Sequence, residues 1–448
     1  MHPRTLTTQR VLIVGFGSTG ASVARFLQLH GVSFEVADEC DQQTASEHAS
    51  TLSCEFHTQF SVELFKTFDV LVLSPGIPRS LTSIQEAIAA GVDVIGDIEL
   101  FAGVVEAPVI AVTGSNGKST VVSWIAHTLQ GAGINAIACG NIGLPALDSL
   151  GESADVYVLE LSSYQLESTR SLKPLAAAVL NISDDHLDRY DDIEHYAAVK
   201  RSLLSDAEYC VVNQDDPRTW PQEDESVDGI CEKFTLSTTP DQNSRWHRIL
   251  KNDQTWLCDE NFAFLDQREL SVPGDHNAAN ALAVLALIEP LQIPFTALKK
   301  GLIGFAGLPH RSEYIGESEG VRWYNDSKGT NIDACSKAIQ AMPGSVILIA
   351  GGISKGADFS ALRQLVEQRV KLLILIGRDR AQIRNQLEGS TTIIMAEELR
   401  GAVEAAHQHA KNGDVVLLSP ACSSFDMFRN FEDRGEQFAA TVEEVLAA

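Results

Sequence analysis

A glycine-rich turn directly after an apolar run is the feature that most constrains this chain. Residues 109–112 are apolar, and the turn that follows reads Thr-Gly-Ser-Asn-Gly-Lys-Ser-Thr over residues 113–120. Paired glycines let backbone N–H groups converge on an anion, Lys118 adds a positive charge, and the Ser119 hydroxyl suits a magnesium ion. The pattern predicts a nucleotide-phosphate loop between a strand and a helix over residues 121–129. A turn that binds nothing is the weaker alternative, because it does not account for a lysine followed by two hydroxyl residues.

Composition and charge limit the class of protein. The 448 residues suggest about three domains, and 44% hydrophobic residues suffice for large cores. A formal net charge of -26 argues against binding to a nucleic-acid backbone or an anionic membrane surface. The eight cysteines include no Cys-x-x-Cys pair, so neither a zinc knuckle nor a disulfide framework is indicated. With no membrane-length apolar run and no signal-peptide pattern at the start, we expect a cytoplasmic enzyme without membrane insertion.

Three successive segments each begin with a short apolar strand that leads into a turn, which is typical of α/β domains. The predicted strands are residues 11–14, 33–37, 70–73, 109–112, 156–161, 176–180, 346–350, 372–376 and 415–418. This order predicts parallel sheets that bind ligands at the carboxyl ends of their strands. We predict an α/β protein of three domains: Rossmann-like over 1–96, P-loop-type over 97–307, and Rossmann-like over 308–448. Residues 215–260 are predicted to be a variable antiparallel or loop segment.

A second glycine turn lies near the start of the chain. Gly15, Gly17 and Gly20 follow the first strand with the spacing of a dinucleotide-binding loop, and Asp38 follows the next strand. Alone, this pattern would suggest a nicotinamide-dependent dehydrogenase. Since a simple dehydrogenase does not need the second nucleotide site at residues 113–120, the first loop is better interpreted as a cradle for the diphosphate of another nucleotide. A turn that only packs a helix on a strand is the remaining alternative.

Two potential metal ligands follow strand ends in the central segment. Glu160 ends the predicted strand 156–161, and His186 follows the strand 176–180. Together with the Ser119 hydroxyl, a carboxylate and an imidazole would suit magnesium beside bound phosphates. The alternatives are a buried Glu160 paired with a lysine and a His186 that caps a helix or lies in the core. The strand-end positions favour the metal site.

Several longer motifs carry a resemblance to a known family. They are the phosphate loop at 113–120, Gly-Asp-Ile-Glu-Leu-Phe at 96–101, Gly-Asn-Ile-Gly-Leu-Pro at 140–145, Leu-Pro-His-Arg at 308–311, Asn-Asp-Ser-Lys at 325–328 and Ser-Pro-Ala-Cys-Ser-Ser at 419–424. On these motifs the chain resembles, over essentially its whole length, the Mur ligase family, and within it the branch that adds D-glutamate. The resemblance implies ATP-dependent addition of D-glutamate to UDP-N-acetylmuramoyl-L-alanine through an acyl phosphate, with release of ADP and phosphate, in peptidoglycan precursor synthesis.

The resemblance also implies where the UDP-linked substrate binds. The implied contacts are Ser18, Thr19, Gly20, Asp38, Ser74, Asn141, Ser162, Gln165 and His186. The glycine loop would hold the diphosphate, the uracil would lie near Asp38, and the later residues would follow the muramoyl and alanyl portion. The chain departs from the family pattern after Asp38, because Glu39 and Cys40 stand where Thr and Arg are expected.

The remaining implied sites serve ATP, metal and D-glutamate. The ATP contacts are Gly114, Ser115, Asn116, Gly117, Lys118, Ser119, Thr120, Asn277, Asn280, His310, Arg311 and Asp326, with ATP expected between the central and C-terminal domains. The D-glutamate contacts are Thr330, Lys355, Ser424 and the backbone of Phe431. The catalytic residues are Lys118, Glu160, His186 and Lys200, and two magnesium ions would be held by Ser119, Glu160, His186 and a Lys200 carbamate derived from CO2.

Some of these residues also have simpler interpretations. Without the resemblance, Lys200 would be a solvated lysine on a helix, Asn280 a residue at a helix start, Arg311 an ion-pair residue between domains, and Lys355 part of a flexible glycine loop. For the whole chain, the alternatives are another Mur-type or folylpolyglutamate synthase-like ligase, a nicotinamide-dependent dehydrogenase, and a catalytically silent nucleotide binder. We expect the substrates to be the partners of a monomeric chain, with no nucleic acid, and closure of the C-terminal domain on binding.

Overall fold

The computed structural model describes residues 1–185, 189–239, 244–260, 262–272 and 274–447. These residues form two compact units. The first comprises Met1–Ile182, Glu194–Leu270 and Ala278–Phe305, and the second comprises Ser183–Ile193, Ser271–Asn277 and Ala306–Ala448. His186, a predicted metal ligand, lies outside the described residues.

The N-terminal part of the first unit is a five-stranded parallel sheet with the strand order β3-β2-β1-β4-β5. Its strands are β1 Val11–Val14, β2 Phe34–Ala37, β3 Phe56–His57, β4 Val70–Leu73 and β5 Asp93–Gly96. Its helices are α1 Pro3–Leu6, α2 Ser18–Leu29, α3 Gln42–Leu52, α4 Val62–Phe65 and α5 Thr82–Ala89. Because β1 lies between β2 and β4, the carboxyl ends of these three strands meet around the first glycine turn.

The rest of the first unit is built on a nine-stranded sheet with the order β14-β13-β12-β11-β10-β9-β6-β8-β7. Its strands are β6 Val109–Thr113, β7 Ala136–Gly140, β8 Val156–Glu160, β9 Ala176–Val179, β10 Tyr209–Asn213, β11 Ile230–Phe234, β12 Trp246–Lys251, β13 Gln254–Asp259 and β14 Phe262–Asp266. The α-helices are α6 Asp97–Ala102, α7 Lys118–Gly131, α8 Ala146–Ser149, α9 Ser163–Leu166, α10 Ile193–Arg201, α11 Asp275–Ile288 and α12 Phe295–Gly304. Short 3₁₀ helices are Ser202–Leu204, Pro217–Thr219, Gln267–Glu269 and Glu289–Leu291.

The C-terminal sheet belongs to the second unit and has the order β15-β16-β20-β17-β18-β19, with β15 alone antiparallel. Its strands are β15 Glu313–Ser318, β16 Val321–Asn325, β17 Val346–Gly351, β18 Val370–Ile376, β19 Thr392–Met395 and β20 Val415–Leu418. The helices are α13 Ile332–Ala341, the 3₁₀ helix Phe359–Leu362, α14 Arg363–Arg369, α15 Arg380–Leu387, α16 Leu399–His409 and α17 Phe431–Ala447. Two apolar clusters cover the two faces of this sheet, which explains why its central strands are apolar without alternation.

The predicted fold class is confirmed, since all three sheets are mainly parallel and alternate with helices. The segment 215–260 contains β11, which pairs in parallel with β10 and with β12, whereas the pairs β12–β13 and β13–β14 are antiparallel. The helix after the phosphate loop begins at Lys118, three residues before the predicted start. Asn280 was predicted at a helix start, but α11 begins at Asp275, so Asn280 lies in its second turn. Among the described residues, no helix is long and apolar enough to cross a lipid bilayer.

Candidate active site

The phosphate loop joins the carboxyl end of β6 to the amino end of α7. Gly114 and Gly117 have φ angles of +146° and +86°, in the region that favours glycine. A Cβ atom added at Gly117 would lie 2.9 Å from Asn280 Oδ1, so the loop also leaves no room for a side chain there. The residue preceding α7 is Gly117, which has no side chain to cap the helix. The start of α7 is therefore the kind of helix terminus at which anions bind.

Lys118 folds back over this loop. Its Nζ donates to the carbonyl oxygen of Gly114 at 2.8 Å and to that of Ser115 at 3.0 Å. Asn181, the second residue after β9, holds the other side of the loop. Its Oδ1 accepts from the amide of Asn116 at 2.8 Å, and its Nδ2 donates to the Asn116 carbonyl at 2.9 Å. The loop is thus fixed before any ligand binds, which lowers the entropic cost of binding.

Glu160 lies at the carboxyl end of β8, next to β6, where it is opposite Val112. Its side chain is buried, with 1% of the residue exposed. The Asn141 Nδ2 donates to Glu160 Oε1 at 2.8 Å, whereas Glu160 Oε2 has no hydrogen-bond partner among the described residues. The partner of Oε1 is therefore an amide and not the lysine of the simpler interpretation. A buried carboxylate oxygen without a donor is the kind of group that a cation satisfies.

Lys200 is not the solvated lysine that the sequence pattern alone suggested. It lies in α10 and is 1% exposed. Its Nζ donates to the Gly114 carbonyl at 3.0 Å and to Thr113 Oγ1 at 3.4 Å, and lies 4.6 Å from the centre of the Tyr196 ring. The fold therefore brings this amine to the same carbonyl oxygen that Lys118 contacts.

The first glycine turn is also shaped by close approach. A Cβ atom added at Gly20 would lie 2.2 Å from the Gly15 carbonyl oxygen, and Gly15 has a φ of +87°. Ser74 is buried after β4, and its Oγ donates to the same carbonyl at 2.6 Å. Ser18 is the first residue of α2, which follows Gly17 and has no side-chain cap. This turn therefore presents a second helix start to an anion, with Ser74 supporting the loop from behind.

Ser162 and Gln165 form a reciprocal cap at the start of α9. Ser162 Oγ accepts from the Gln165 amide at 3.3 Å, while Gln165 Oε1 accepts from the Ser162 amide at 3.1 Å. Gln165 is buried, and its Nε2 donates to Asp97 Oδ2 at 3.2 Å. These contacts fix both side chains. Gln165 therefore links Asp97 to the start of α9, which follows Glu160 in the chain.

In the second unit, three loops after strand ends meet. Ile353, after β17, forms backbone hydrogen bonds in both directions with Ser423, each of 3.0 Å. The Ala421 amide donates to the Gly329 carbonyl at 2.8 Å, which joins the loop after β20 to the loop after β16. Ser327 Oγ donates to the Phe431 carbonyl at 2.8 Å. The loops that carry the predicted D-glutamate contacts are therefore connected by backbone hydrogen bonds and, at Phe431, by the Ser327 hydroxyl.

The predicted D-glutamate contacts Lys355, Ser424 and Thr330 each have a defined local environment. Lys355 has a φ of +52°, and its Nζ lies 3.8 Å from Asp185 Oδ1 in the same unit. Ser424 is buried, and its carbonyl accepts from two later amides in the turn before α17. The Thr330 amide donates to the Lys328 carbonyl at 2.8 Å. Lys355 is thus held in an uncommon backbone conformation rather than in a featureless glycine loop.

The other predicted residues of the second unit lie around β16. Asp326 is buried; its Oδ1 accepts from the Ser312 amide at 3.0 Å and its Oδ2 from Ser419 Oγ at 2.7 Å. Burial raises the pKa of Asp326 to about 6, although its hydrogen bonds and the nearby Arg311 act in the opposite direction. His310 has a φ of +60°, and its Nδ1 lies 2.8 Å from the Asn325 Nδ2. Asn277 is in the first turn of α11.

Comparison with known proteins identifies the family. Family models match residues 9–96 as the MurD-like N-terminal domain of Mur ligases, residues 112–288 as the Mur ligase middle domain, and residues 310–422 as the glutamate ligase domain of Mur ligases. A relative from Saccharophagus degradans, named UDP-N-acetylmuramoylalanine--D-glutamate ligase, is 41% identical over 98% of this chain and 99% of its own length. The chain belongs to the Mur ligase family. A relative of the same name from Nitrosococcus oceani is 42% identical over 100% of this Mur ligase and 99% of its own length.

Solved structures of other Mur-type ligases share the fold of this Mur ligase. A pseudomurein peptide ligase type C from Methanothermus fervidus superposes with a TM-score of 0.64 at 17% identity, covering 98% of this chain and 100% of that one. The UDP-N-acetylmuramate-alanine ligase of Thermotoga maritima gives a TM-score of 0.61 at 17% identity, covering 98% and 100%. At such identities the likeness establishes the three-domain fold.

The sequence did not single out three residues that shape the site of this Mur ligase. Asn181 forms hydrogen bonds with Asn116 of the phosphate loop. Tyr196 accepts a hydrogen bond from the Ser115 hydroxyl at 3.3 Å, and its ring lies near the Lys200 amine. Asp97 fixes Gln165, from which it is 68 residues away in the chain. Asn181 could have been noticed as a polar residue after a strand, but the partners of all three are set by folding.

Asp97 gives a test through the pH dependence of stability. Burial raises its pKa to about 6 from an ordinary 3.8, although Gln165 acts in the opposite direction. The folded protein therefore holds this proton more tightly than the unfolded chain, and the associated stability is present below pH 4 and lost as the pH rises through 6. In Asp97→Asn this loss should disappear, so the free energy of unfolding of the variant should gain about 3 kcal/mol on wild type between pH 4 and 8. Urea unfolding at several pH values measures it, and parallel curves would contradict it.

Proposed function

We propose that this Mur ligase joins D-glutamate to UDP-N-acetylmuramoyl-L-alanine with hydrolysis of ATP to ADP and phosphate. The observation that carries the proposal is near-full-length identity of 41% and 42% to two relatives named for that reaction. The structure supplies a matching chemical setting, because Lys118 and Lys200 both reach the Gly114 carbonyl at the phosphate loop. The ammonium of Lys118 suits a phosphoryl group on which negative charge develops.

ATP phosphates would bind along the loop 113–120. The amides at the start of α7 would take phosphate oxygens, and Lys118 would move from its present carbonyl partners to the outer phosphates. Asn280, whose Oδ1 lies beside Gly117, would contact bound ATP near its base from α11. The further ATP contacts proposed are Asn277, His310, Arg311 and Asp326.

Magnesium is the ion that this site would hold. The fit rests on Glu160, since its Oε2 is buried without a partner among the described residues while Asn141 fixes Oε1. Ser119, in the first turn of α7, and His186 would add ligands. When bound, magnesium would neutralise charge on the phosphates. A carbamate on Lys200, formed when its deprotonated amine reacts with CO2, would add a further oxygen ligand beside the phosphate loop, where the Lys200 Nζ lies 3.0 Å from the Gly114 carbonyl oxygen.

The N-terminal sheet would hold the UDP end of the substrate. Ser18, Thr19 and Gly20 at the start of α2 would bind the diphosphate, with Ser74 supporting the turn through Gly15. The uracil would lie near Asp38, which follows β2. The muramoyl and alanyl part would extend along Asn141, Ser162 and Gln165, toward Glu160.

D-Glutamate has two carboxylates, and a pocket for it needs donors for both. Lys355, Thr330 and Ser424 would supply a charge and two hydroxyls, and the backbone at Phe431 would complete the pocket. In the structure Lys355 lies 3.8 Å from Asp185. Binding of a substrate carboxylate would replace that partner of Lys355.

The reaction would proceed in two steps. An oxygen of the alanyl carboxylate attacks the γ-phosphorus of ATP, ADP leaves, and an acyl phosphate forms, with Lys118 stabilising the charge on the transferred group. The amine of D-glutamate, after losing a proton, then attacks the acyl carbon. Phosphate leaves with the electrons of the broken C–O bond, and an amide remains.

The test is an assay of the purified chain with ATP, magnesium, UDP-N-acetylmuramoyl-L-alanine and D-glutamate. We expect release of one phosphate for each amide formed. A panel of amino acids in place of D-glutamate should give little phosphate, since the donors of the pocket match a dicarboxylate. Phosphate release that prefers another amino acid, or no release with D-glutamate, would contradict the proposal.

A further inference from the structure

Three side chains of metal-binding type lie together at the edge of the N-terminal sheet. Glu35 is on β2, Glu55 is the residue before β3, and His57 is on β3. One ligand atom from each residue, a carboxylate oxygen or an imidazole nitrogen, lies within 4.8 Å of the corresponding atoms of the other two. This group, here called the edge cluster, shares no residue with the candidate active site.

The pairing of β2 with β3 sets this arrangement. His57 is in register with Ala37 of β2. Amides of the segment 36–38 donate to the carbonyl oxygens of Glu55 and His57, at 3.0 Å and 2.9 Å. Since alternate residues of a strand point to the same face, Glu55 and His57 share a face, and Glu35 shares it with Ala37. The backbone of two paired strands therefore brings the three side chains to one place.

The charges of the edge cluster are not balanced by the protein. His57 Nε2 lies 2.7 Å from Glu35 Oε2, and Arg10 Nη2 lies 3.6 Å from Glu35 Oε1. The Glu55 side chain is exposed and has no hydrogen-bond or ion-pair partner among the described residues, although it lies close to the Glu35 carboxylate. Arg10 offsets one of the two negative charges. The remaining repulsion between the carboxylates is what a bound cation would remove.

The donor types select the kind of cation. Imidazole nitrogen and carboxylate oxygen are both ligands of zinc, whereas magnesium prefers an octahedral set of oxygen ligands. Zinc–ligand bonds of about 2.1 Å place two donor atoms at most about 4 Å apart. The ligand atoms of the edge cluster are already within 4.8 Å of one another, so rotation of exposed side chains suffices to close around an ion.

We propose that Glu35, Glu55 and His57 bind one divalent ion of the zinc class at the edge of the N-terminal sheet. The ion would replace the hydrogen bond between Glu35 and His57 and would hold β3, a strand of only two residues, against β2. Because it would bind the folded chain only, it would stabilise the fold by mass action. This site is separate from the proposed magnesium site, whose ligands belong to the central sheet and its loops.

The test is calorimetric titration of zinc into the full chain in excess magnesium, which occupies sites made of oxygen ligands. The wild type should bind zinc, and its melting temperature should rise as zinc is added. His57→Ala removes the nitrogen ligand and should weaken zinc binding at least about tenfold, the scale of changes around a metal site. Glu55→Gln should weaken it to a similar extent. Because Glu55 is exposed, that variant will fold as the wild type does.

Glu63→Gln is the matched control, because Glu63 is an exposed carboxylate on α4 of the same sheet domain but outside the edge cluster. It should keep the zinc affinity of the wild type. Zinc bound at other carboxylates would bind all variants alike, so equal zinc affinity of the wild type, His57→Ala and Glu55→Gln would overturn the proposal. Binding of zinc no tighter than that of magnesium would also overturn it. The titration needs no substrate, so its outcome is independent of the ligase assay.

Discussion

Lys118→Ala is expected to lower kcat for phosphate release by at least about 10³-fold, the scale on which a cation that stabilises a transferring phosphoryl group contributes. Lys118 Nζ is 2.8 Å from the Gly114 carbonyl and can reach an outer phosphate from the same helix turn. Its charge stabilises the transition state of γ-phosphoryl transfer more than it stabilises bound ATP. The Lys118→Ala variant should therefore lose more in kcat than in affinity for ATP. Steady-state assays of phosphate release measure both.

The control for this variant is Lys300→Ala, which removes an exposed lysine of α12. It should retain wild-type kcat. Thermal unfolding of Lys118→Ala should stay close to wild type, because the lysine is only partly buried. A folded Lys118→Ala variant with kcat within about tenfold of wild type would contradict the role of this residue in phosphoryl transfer.

Lys200→Met is expected to remove nearly all activity, by about 10³-fold or more, since it deletes both the amine and the proposed carbamate. Methionine fills a similar space in the buried site, so the fold should be retained. Because the carbamate forms from CO2, wild-type protein depleted of bicarbonate should lose activity and regain it when bicarbonate is added. Mass spectrometry and phosphate-release assays of the same samples measure the modification and the rate.

Bicarbonate should leave Lys200→Met unchanged, whereas Lys300→Met should respond to bicarbonate as the wild type does. These outcomes separate carbamate formation at Lys200 from a general effect of bicarbonate or pH. A full rate from wild-type protein whose Lys200 is demonstrably unmodified would rule out the carbamate.

Much of the fold follows from local pattern in this chain. The apolar strands at 11–14, 70–73 and 415–418 have the predicted bounds, because short apolar runs between turns have few other ways to be buried. The helix after the phosphate loop began earlier than predicted, since Lys118, Ser119 and Thr120 are polar and carry no apolar periodicity. The additional parallel strand β11 was missed because only one of its five residues, Phe234, is buried, which leaves no continuous apolar run.

The sequence by itself determined the glycine turn before α7, since the glycines at 114 and 117 allow its positive φ angles and the lysine that follows places a positive charge beside it. The sequence could not decide whether Lys200 is buried, because a lysine beside Arg201 on a helix is typical of a solvent-exposed position. Only the tertiary structure buries that amine against the Gly114 carbonyl, 86 residues away in the chain. The same holds for Glu160: the fold buries its side chain at the end of β8, between β6 and β7, and its Oε2 has no hydrogen-bond partner in the part of the chain that the structure describes. Backbone conformation is encoded over a few residues, whereas hydration and pairing of a charge depend on which distant segments fold around it.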